Sequence, residues 1–387
     1  MSETQHYLCL ECIKDKYLKN YVLIRYDSIE TCSICQNKSR GININNQNLN
    51  DFCRFLIRYH YPEYEYNSHF GGDNLPSQFY KENPIISHLY NDNDARLEEI
   101  EDFLFLLFDL HNDNSEIDLY YGHYNGERFL WPNAIKNEKS KIWEQYTKEL
   151  QEVNYYELEE HAKETFEKIL DGLRHTLAID MVFHRARIGY EIKKESTNLG
   201  TNTIDIKIPF KGQQISSPPI LRANPGRANR QGVSFLYLAS TEETALGEVR
   251  PHPGHYVSVS KFNSIVKLHV ADLRLIDLEK YYKSEDLLES FKLLRDLSDE
   301  LSIPILPEEK QNYIVTQFIT DIVRQLGFDA ILYNSSVTNG YNVVAFDPRK
   351  FSNESQDSTL IKISSVSFTY KQIEYEIDNW MKNLTEK

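Results

Sequence analysis

The 387-residue sequence contains no apolar run approaching the roughly 20 residues that cross a bilayer. Its start, MSETQHYLCLECIKD, lacks the basic-then-apolar layout of a secretory signal. Both absences set the expectation of a cytoplasmic protein with no membrane contact. There is no G-x-x-x-x-G-K-[ST] loop, no H-E-x-x-H helix and no H-x-E with P-C-x-x-C, which excludes P-loop nucleotide hydrolysis, zincin proteolysis and zinc-dependent deamination. A Rossmann G-x-G-x-x-G is also missing, so no carrier-type dinucleotide site is written here. Basic residues are in short supply: 43 Lys and Arg face 58 Asp and Glu, a formal net charge of −15 that repels nucleic acid. No repeat or low-complexity tract stands out.

What is present is the composition of a folded protein, 41% hydrophobic and 26% charged, on a chain long enough for two or three domains. Five cysteines are an odd number for a disulfide framework. Four form two pairs, Cys9 and Cys12 in CLEC and Cys32 and Cys35 in CSIC, with 19 residues between the pairs. That spacing matches a C-x2-C, C-x2-C zinc site in which each pair sits on a tight turn. Four thiolates fill a tetrahedral Zn2+ and leave no open position, so the metal is expected to be structural. Cys53 is left to pack as a small hydrophobe.

Residues 1–47 read as a zinc ribbon or knuckle, too short to fold without its metal. From 48 to 178 apolar residues recur at three and four spacings in LNDFCRFLIRYHYPEY, ARLEEIEDFLFLLFDLH, SKIWEQYTKELQEV and ELEEHAKETFEKILDGLRH, which predicts a helical domain. HFGGDNLPSQFYKENP and HNDNSEIDLYYGHYNGERFLWPN read as the loops between them. After 179 short strands appear: VFHRARI, SFLYLAS, YVSVSKFN, IVKLHVADLRLIDL, AILYNSS and NVVAFDP. Helices are predicted in TEETALGEVR, with Thr241 as its cap, and in NYIVTQFITDIVRQLG, with Gly327 ending it. SSPPILRANPGRANRQG reads as a loop. The fold class expected is α+β: a C-terminal mixed α/β domain preceded by the small zinc ribbon and the helical domain.

Within that C-terminal half, Arg227-x-Asn229-x-x-Gly232-x-x-x-Leu236-Tyr237-Leu238-Ala239, then Ala245-Leu246-x-Glu248-Val249, resembles the core signature of the RES domain family. A later GFDAILYNSS…NGYNVVAFDP, residues 327–348, resembles the family's serine motif and places Ser335 at the matching position. FHRARIG resembles its arginine-bearing first strand, with Arg185. The likeness covers about 180–350 within 179–387, and the zinc-plus-helical start is similar to the HEPN-like N-terminal domain that accompanies some RES domains. An upstream RANPG imitates the motif, so Arg222 competes with Arg227; only Arg227 stands ten residues before Tyr237.

The resemblance implies a fold like that of ADP-ribosyltransferase toxins and an activity that degrades NAD. The nicotinamide–ribose bond is cut with water or inorganic phosphate as acceptor, by a toxin neutralised by an antitoxin. NAD is then a substrate, not a cofactor. The setting implied is toxin–antitoxin or phage defence, with homo-oligomerisation left open. Its arginines suit the pyrophosphate, because planar guanidinium donors meet phosphate oxygens in pairs; Arg227 and Arg185 are the candidates. Leaving-group departure builds positive charge on the ribose, which a carboxylate such as Glu248 stabilises. Tyr237 offers a ring and a hydroxyl, and Ser335 a hydroxyl for phosphate or ribose. Arg227, Tyr237, Glu248 and Ser335 are thus the catalytic candidates, with Arg185, Asn229 and Gly232 as substrate-binding ones. Each has an ordinary alternative: an ion-paired strand arginine, a solvated helix glutamate, a core-edge tyrosine, a turn serine.

Two rival readings come from the N-terminal half. A HEPN-type ribonuclease is suggested by Arg54 and His60 in RFLIRYH, although six residues on a helix point two side chains in different directions. A zinc-ribbon interaction protein is the other, yet KDKYLKNYVLIRYD has no dense basic cluster.

Overall fold

The computed structural model describes residues 5–26, 28–81, 83–87, 96–110, 115, 117–120, 133–196, 203–303, 313–354, 358–367 and 370. In chain order the first part contains β1 (Tyr7–Cys9), α1 (Lys16–Arg25), β2 (Ser28–Thr31), β3 (Lys38–Asn43), α2 (Gln47–His60), α3 (Glu63–Tyr66), α4 (Leu75–Lys81), α5 (Leu97–Leu107), α6 (Lys141–Glu152) and α7 (Tyr155–Leu170). There follow β4 (Arg174–Leu177), β5 (Val182–Ile188), β6 (Glu191–Ser196), β7 (Thr203–Ile208), β8 (Leu236–Ala239), α8 (Glu242–Glu248), β9 (Tyr256–Ser264) and β10 (Leu268–Asp272). Two long helices, α9 (Glu285–Ser302) and α10 (Ile314–Gln325), precede β11 (Ala330–Asn334), β12 (Tyr341–Ala345), β13 (Phe351–Ser352) and β14 (Ser358–Lys362). The chain is therefore mixed α and β, as its periodicity indicates.

Contacts divide it into two compact units, Met1–Leu173 with Asp272–Leu326, and Arg174–Ala271 with Gly327–Lys387. In the first, β1, β3 and β2 form a small antiparallel sheet. Helix starts are set by side-chain caps: Asp15 Oδ1 accepts from the Tyr17 and Leu18 amides at 2.9 and 2.7 Å, and Ser140 Oγ from Trp143 at 3.1 Å. α2 buries Leu49, Phe52, Cys53, Leu56 and Ile57, a 3-and-4 stripe along one face. The leftover Cys53 is fully buried and its thiol is pushed well above its ordinary pKa by that burial.

α9 and α10 join this unit even though the chain reaches them after strands of the other. Glu289 and Asp296 of α9 accept from the Ser140 hydroxyl and amide at the head of α6, both at 2.7 Å, and α10 sets Phe318 against Tyr146. The residues from 285 to 302 carry an apolar stripe that the strand-dominated reading of this half passed over. α4 likewise lies inside a segment expected to be a loop, because Leu75 and Phe79, one helical turn apart, are both buried. Most of the second expected loop, 111–133, lies outside the described residues.

The second unit is built on a nine-stranded sheet in the order β13-β9-β5-β8-β12-β11-β10-β4, with β14 also on β9. β5 runs in unbroken antiparallel register with β9, from Val182↔Asn263 to Ile188↔Val257. That register fixes which residues share a face. Phe183, Leu236, Leu238, Phe262, Val343 and Ala345 form the larger core on one face. Ala186, Ala239, Val257 and Val259 lie on the other, covered by Ala245, Leu246 and Val249 of α8 and the turn that ends it. β6 and β7 pair only with each other.

Candidate active site and metal centre

α8 begins where Thr241 Oγ1 accepts from the Thr244 amide at 3.1 Å, as expected of a threonine cap. Seven residues later it delivers Glu248, half-buried, to the α8 face of the sheet. Two groups from the β11–β12 hairpin meet it. Ser335 Oγ donates to Glu248 Oε1 at 2.8 Å, and Asn342 Nδ2 donates to the same oxygen at 2.6 Å. No hydrogen bond among the described residues reaches Oε2. One oxygen of the carboxylate is fixed and the other is left as an acceptor.

The hairpin is pressed onto α8 at Gly340, where a Cβ would sit 2.1 Å from Thr244 Oγ1 and 2.7 Å from Ser240 Oγ. Thr338 Oγ1 donates to Thr244 Oγ1 at 2.9 Å, and the Ser335 amide closes the turn onto Gly340 O at 3.0 Å. Asn342 is opposite Ala239, and Tyr237 opposite Val344. Tyr237 and Asn342 are therefore diagonal neighbours on one face, about 7–8 Å apart by strand geometry.

At its outer end the Tyr237 hydroxyl donates to Asn229 Oδ1 at 2.7 Å and accepts from the Ala228 amide at 3.2 Å. That anchors Arg227, half-buried, next to the tyrosine's polar tip. Arg222 is exposed. Gly226 is required by closeness, since a Cβ there would lie 2.6 Å from Asn229 Oδ1 and 2.9 Å from the Tyr237 hydroxyl.

The remaining expected residues are placed differently. Asn229 is buried, and its amide nitrogen lies within hydrogen-bond reach of the carbonyls of Asn224, Arg230 and Val233, so it builds the loop. Gly232, at φ +81°, is a turn residue whose amide bonds Ala223 O. Arg185 alternates with His184 and Ala186, which puts it with Phe183 on the face opposite Glu248. Its Nε donates to Ile215 O at 2.8 Å and one terminal nitrogen to Tyr237 O at 2.6 Å. Burial, with the charge of Arg187 second, lowers its pKa to about 10, so it stays cationic at neutral pH. Tyr237, Glu248 and Ser335 thus lie on one face, with the backbone of the 226–229 loop against the Tyr237 hydroxyl, while Arg185 lies on the other. Asn342 is the side chain the sequence reading passed over, although a buried asparagine in an otherwise apolar strand is a visible signal.

In the first unit Cys9, Cys12, Cys32 and Cys35 converge, with their sulfurs all within 4.8 Å of one another. Cys9 and Cys35 are 3.7 Å apart and Cys12 and Cys32 3.9 Å. Sulfurs at about 2.3 Å around a tetrahedral zinc would be about 3.8 Å apart, so these residues fit the ion. The hydrogen-bond contact between Cys32 and Cys12 lowers the Cys32 pKa to about 4 and raises that of Cys12. Arg54 and His60 do not converge on one another's partners. Arg54 donates to Ile117 O at 2.6 Å and Asp109 O at 2.5 Å, whereas His60 Nε2 meets Asp15 Oδ2 at 2.9 Å.

Against known proteins, the family model described as RES domain matches residues 202–370, a span that holds Arg227, Tyr237, Glu248, Ser335 and Asn342 but not Arg185. No curated protein matches the chain. A chain of the solved M. tuberculosis MbcT-MbcA toxin-antitoxin complex is similar at 12% identity, over 50% of this chain and 91% of that one, with a TM-score of 0.29.

Proposed function

We propose that the RES segment degrades NAD by cleaving the bond between nicotinamide and ribose. The observation that carries this reading is Glu248, a carboxylate tethered through Oε1 with Oε2 left to accept from a ligand hydroxyl. Breaking the glycosidic C–N bond sends its electron pair to the nicotinamide ring, which departs neutral, and leaves an electron-poor ribose. Glu248 stabilises that charge and accepts from a ribose hydroxyl. Arg227 grips the diphosphate, and Tyr237 forms a wall beside the sugar. Water or inorganic phosphate then forms the new bond to the ribose carbon, the proton of water passing to solvent. The match to the RES domain supports the same chemistry. As a consumed substrate rather than a redox carrier, NAD needs no Rossmann fingerprint.

On this reading the chain is a cytoplasmic toxin held by an antitoxin in a toxin–antitoxin or phage-defence system, with an ADP-ribosyltransferase-like catalytic domain. The four-cysteine group holds a structural zinc whose thiolates tie β1 to the 32–35 turn. No helix among the described residues is long and apolar enough to cross a membrane. Incubating the purified chain with NAD, with and without phosphate, is expected to release nicotinamide together with ADP-ribose or its 1-phosphate. Intact NAD in both arms would reject the reading. Metal analysis is expected to return about one zinc per chain.

A further inference from the structure

Asn342 is nearly fully buried in β12, a strand at the centre of the sheet. Its neighbours Val343, Val344 and Ala345 are apolar and fully buried, the ordinary filling of such a strand. An amide in that row is costly unless it is bonded. Its Nδ2 points at Glu248 Oε1 at 2.6 Å, a charge-assisted distance, from a strand held on both sides by β8 and β11. Ser335 reaches the same oxygen from a turn. One donor comes from a rigid strand and the other from the hairpin tip, and both choose Oε1.

We propose that Asn342 is a positioning residue that locks the Glu248 carboxylate rotamer and keeps Oε2 turned toward the ribose. The inference rests on the NAD-cleaving reading. Removing the donor lets the carboxylate rotate, so turnover falls while substrate affinity, set largely by Arg227 and the loop, is retained. Replacing the amide by a carboxyl has a sharper consequence. Two carboxyl groups at hydrogen-bonding distance cannot both ionise freely and share a proton, so the pair loses it only at higher pH. Other titratable or charged groups that strand alternation puts on this face are His184 on β5, Tyr237 on β8, Lys261 on β9, Tyr333 on β11, His269 on β10 and Arg174 on β4. Glu242 and Glu243 lie in the first turn of α8 and Arg250 just beyond its end. All are common to wild type and variant and drop out of the difference.

The experiment is the pH profile of kcat and KM for NAD cleavage in wild type, Asn342→Asp and the near-isosteric Asn342→Leu. Asn342→Leu is expected to lower kcat roughly tenfold with KM within about threefold, the loss of one charge-assisted bond. In Asn342→Asp the acidic limb of kcat is expected to move up by at least about one pH unit. Should the leucine variant melt early, circular dichroism identifies it and the aspartate profile decides alone. Unchanged kcat in a folded Asn342→Leu, or an aspartate profile lowered at every pH without displacement, overturns the proposal. Failure of the wild type to consume NAD strikes the underlying reading instead, so the two failures are distinguishable.

Discussion

The two faces of the nine-stranded sheet carry polar side chains of equal prominence in the sequence and opposite bonding. On one face the Arg185 guanidinium is tied to the carbonyls of Ile215 and Tyr237, bracing a loop against a strand. On the other, Glu248 is fixed at Oε1, and no hydrogen bond among the described residues reaches Oε2. Both belong to motif-like stretches, FHRARIG and ALGEVR. A half-buried ion bonded to backbone holds the fold, whereas one that is oriented yet incompletely bonded is prepared for a ligand. Asn229 sides with Arg185 in this respect, its amide and carbonyl both taken up by the loop and Tyr237.

The contrast can be broken by exchanging the consequences of mutation between the two faces. The largest effect is expected from Glu248→Gln, a loss of about 100- to 1,000-fold in kcat, read by nicotinamide release, with the melting temperature unchanged. Arg185→Ala is expected to do the reverse: about 2–4 kcal/mol less stable in urea titration, from stranding two carbonyls, with the folded fraction still active. Comparable activity loss in both variants would erase the distinction. Gly340→Ala tests how the open carboxylate is assembled. A methyl 2.1 Å from Thr244 Oγ1 must push the hairpin off α8, lowering stability by about 1–3 kcal/mol and turnover with it. The smallest effect belongs to the exposed Arg222: Arg222→Ala is expected to change KM less than about threefold, against about tenfold or more for Arg227→Ala.

Much of the sheet was readable because strand alternation survives in the sequence. VFHRARI is β5 to the residue, and the strands in YVSVSKFN, AILYNSS and NVVAFDP lie within three residues of their expected bounds. The Thr241 cap and the Gly327 helix end, at φ +82°, followed from local chemistry alone. Local pattern does not say where an element goes. α9 and α10 lie between β10 and β11 in sequence yet belong to the helical unit. At the site, Glu248 and Ser335 were legible from their motifs, but their direct bond is a tertiary fact between residues 87 apart. The same alternation that located β5 already placed Arg185 beside Phe183 and across from Ala186, so its face could have been deduced. Asn342 was harder, since its meaning depends on a glutamate from another element.

The most direct measurement is a crystal structure of the Glu248→Gln chain with NAD bound. The account predicts the nicotinamide ribose hydroxyls against residue 248, the diphosphate on Arg227, and Arg185 still bonded to the Ile215 and Tyr237 carbonyls. A dinucleotide lodged on the Arg185 face, with residue 248 touching no part of it, would contradict the account.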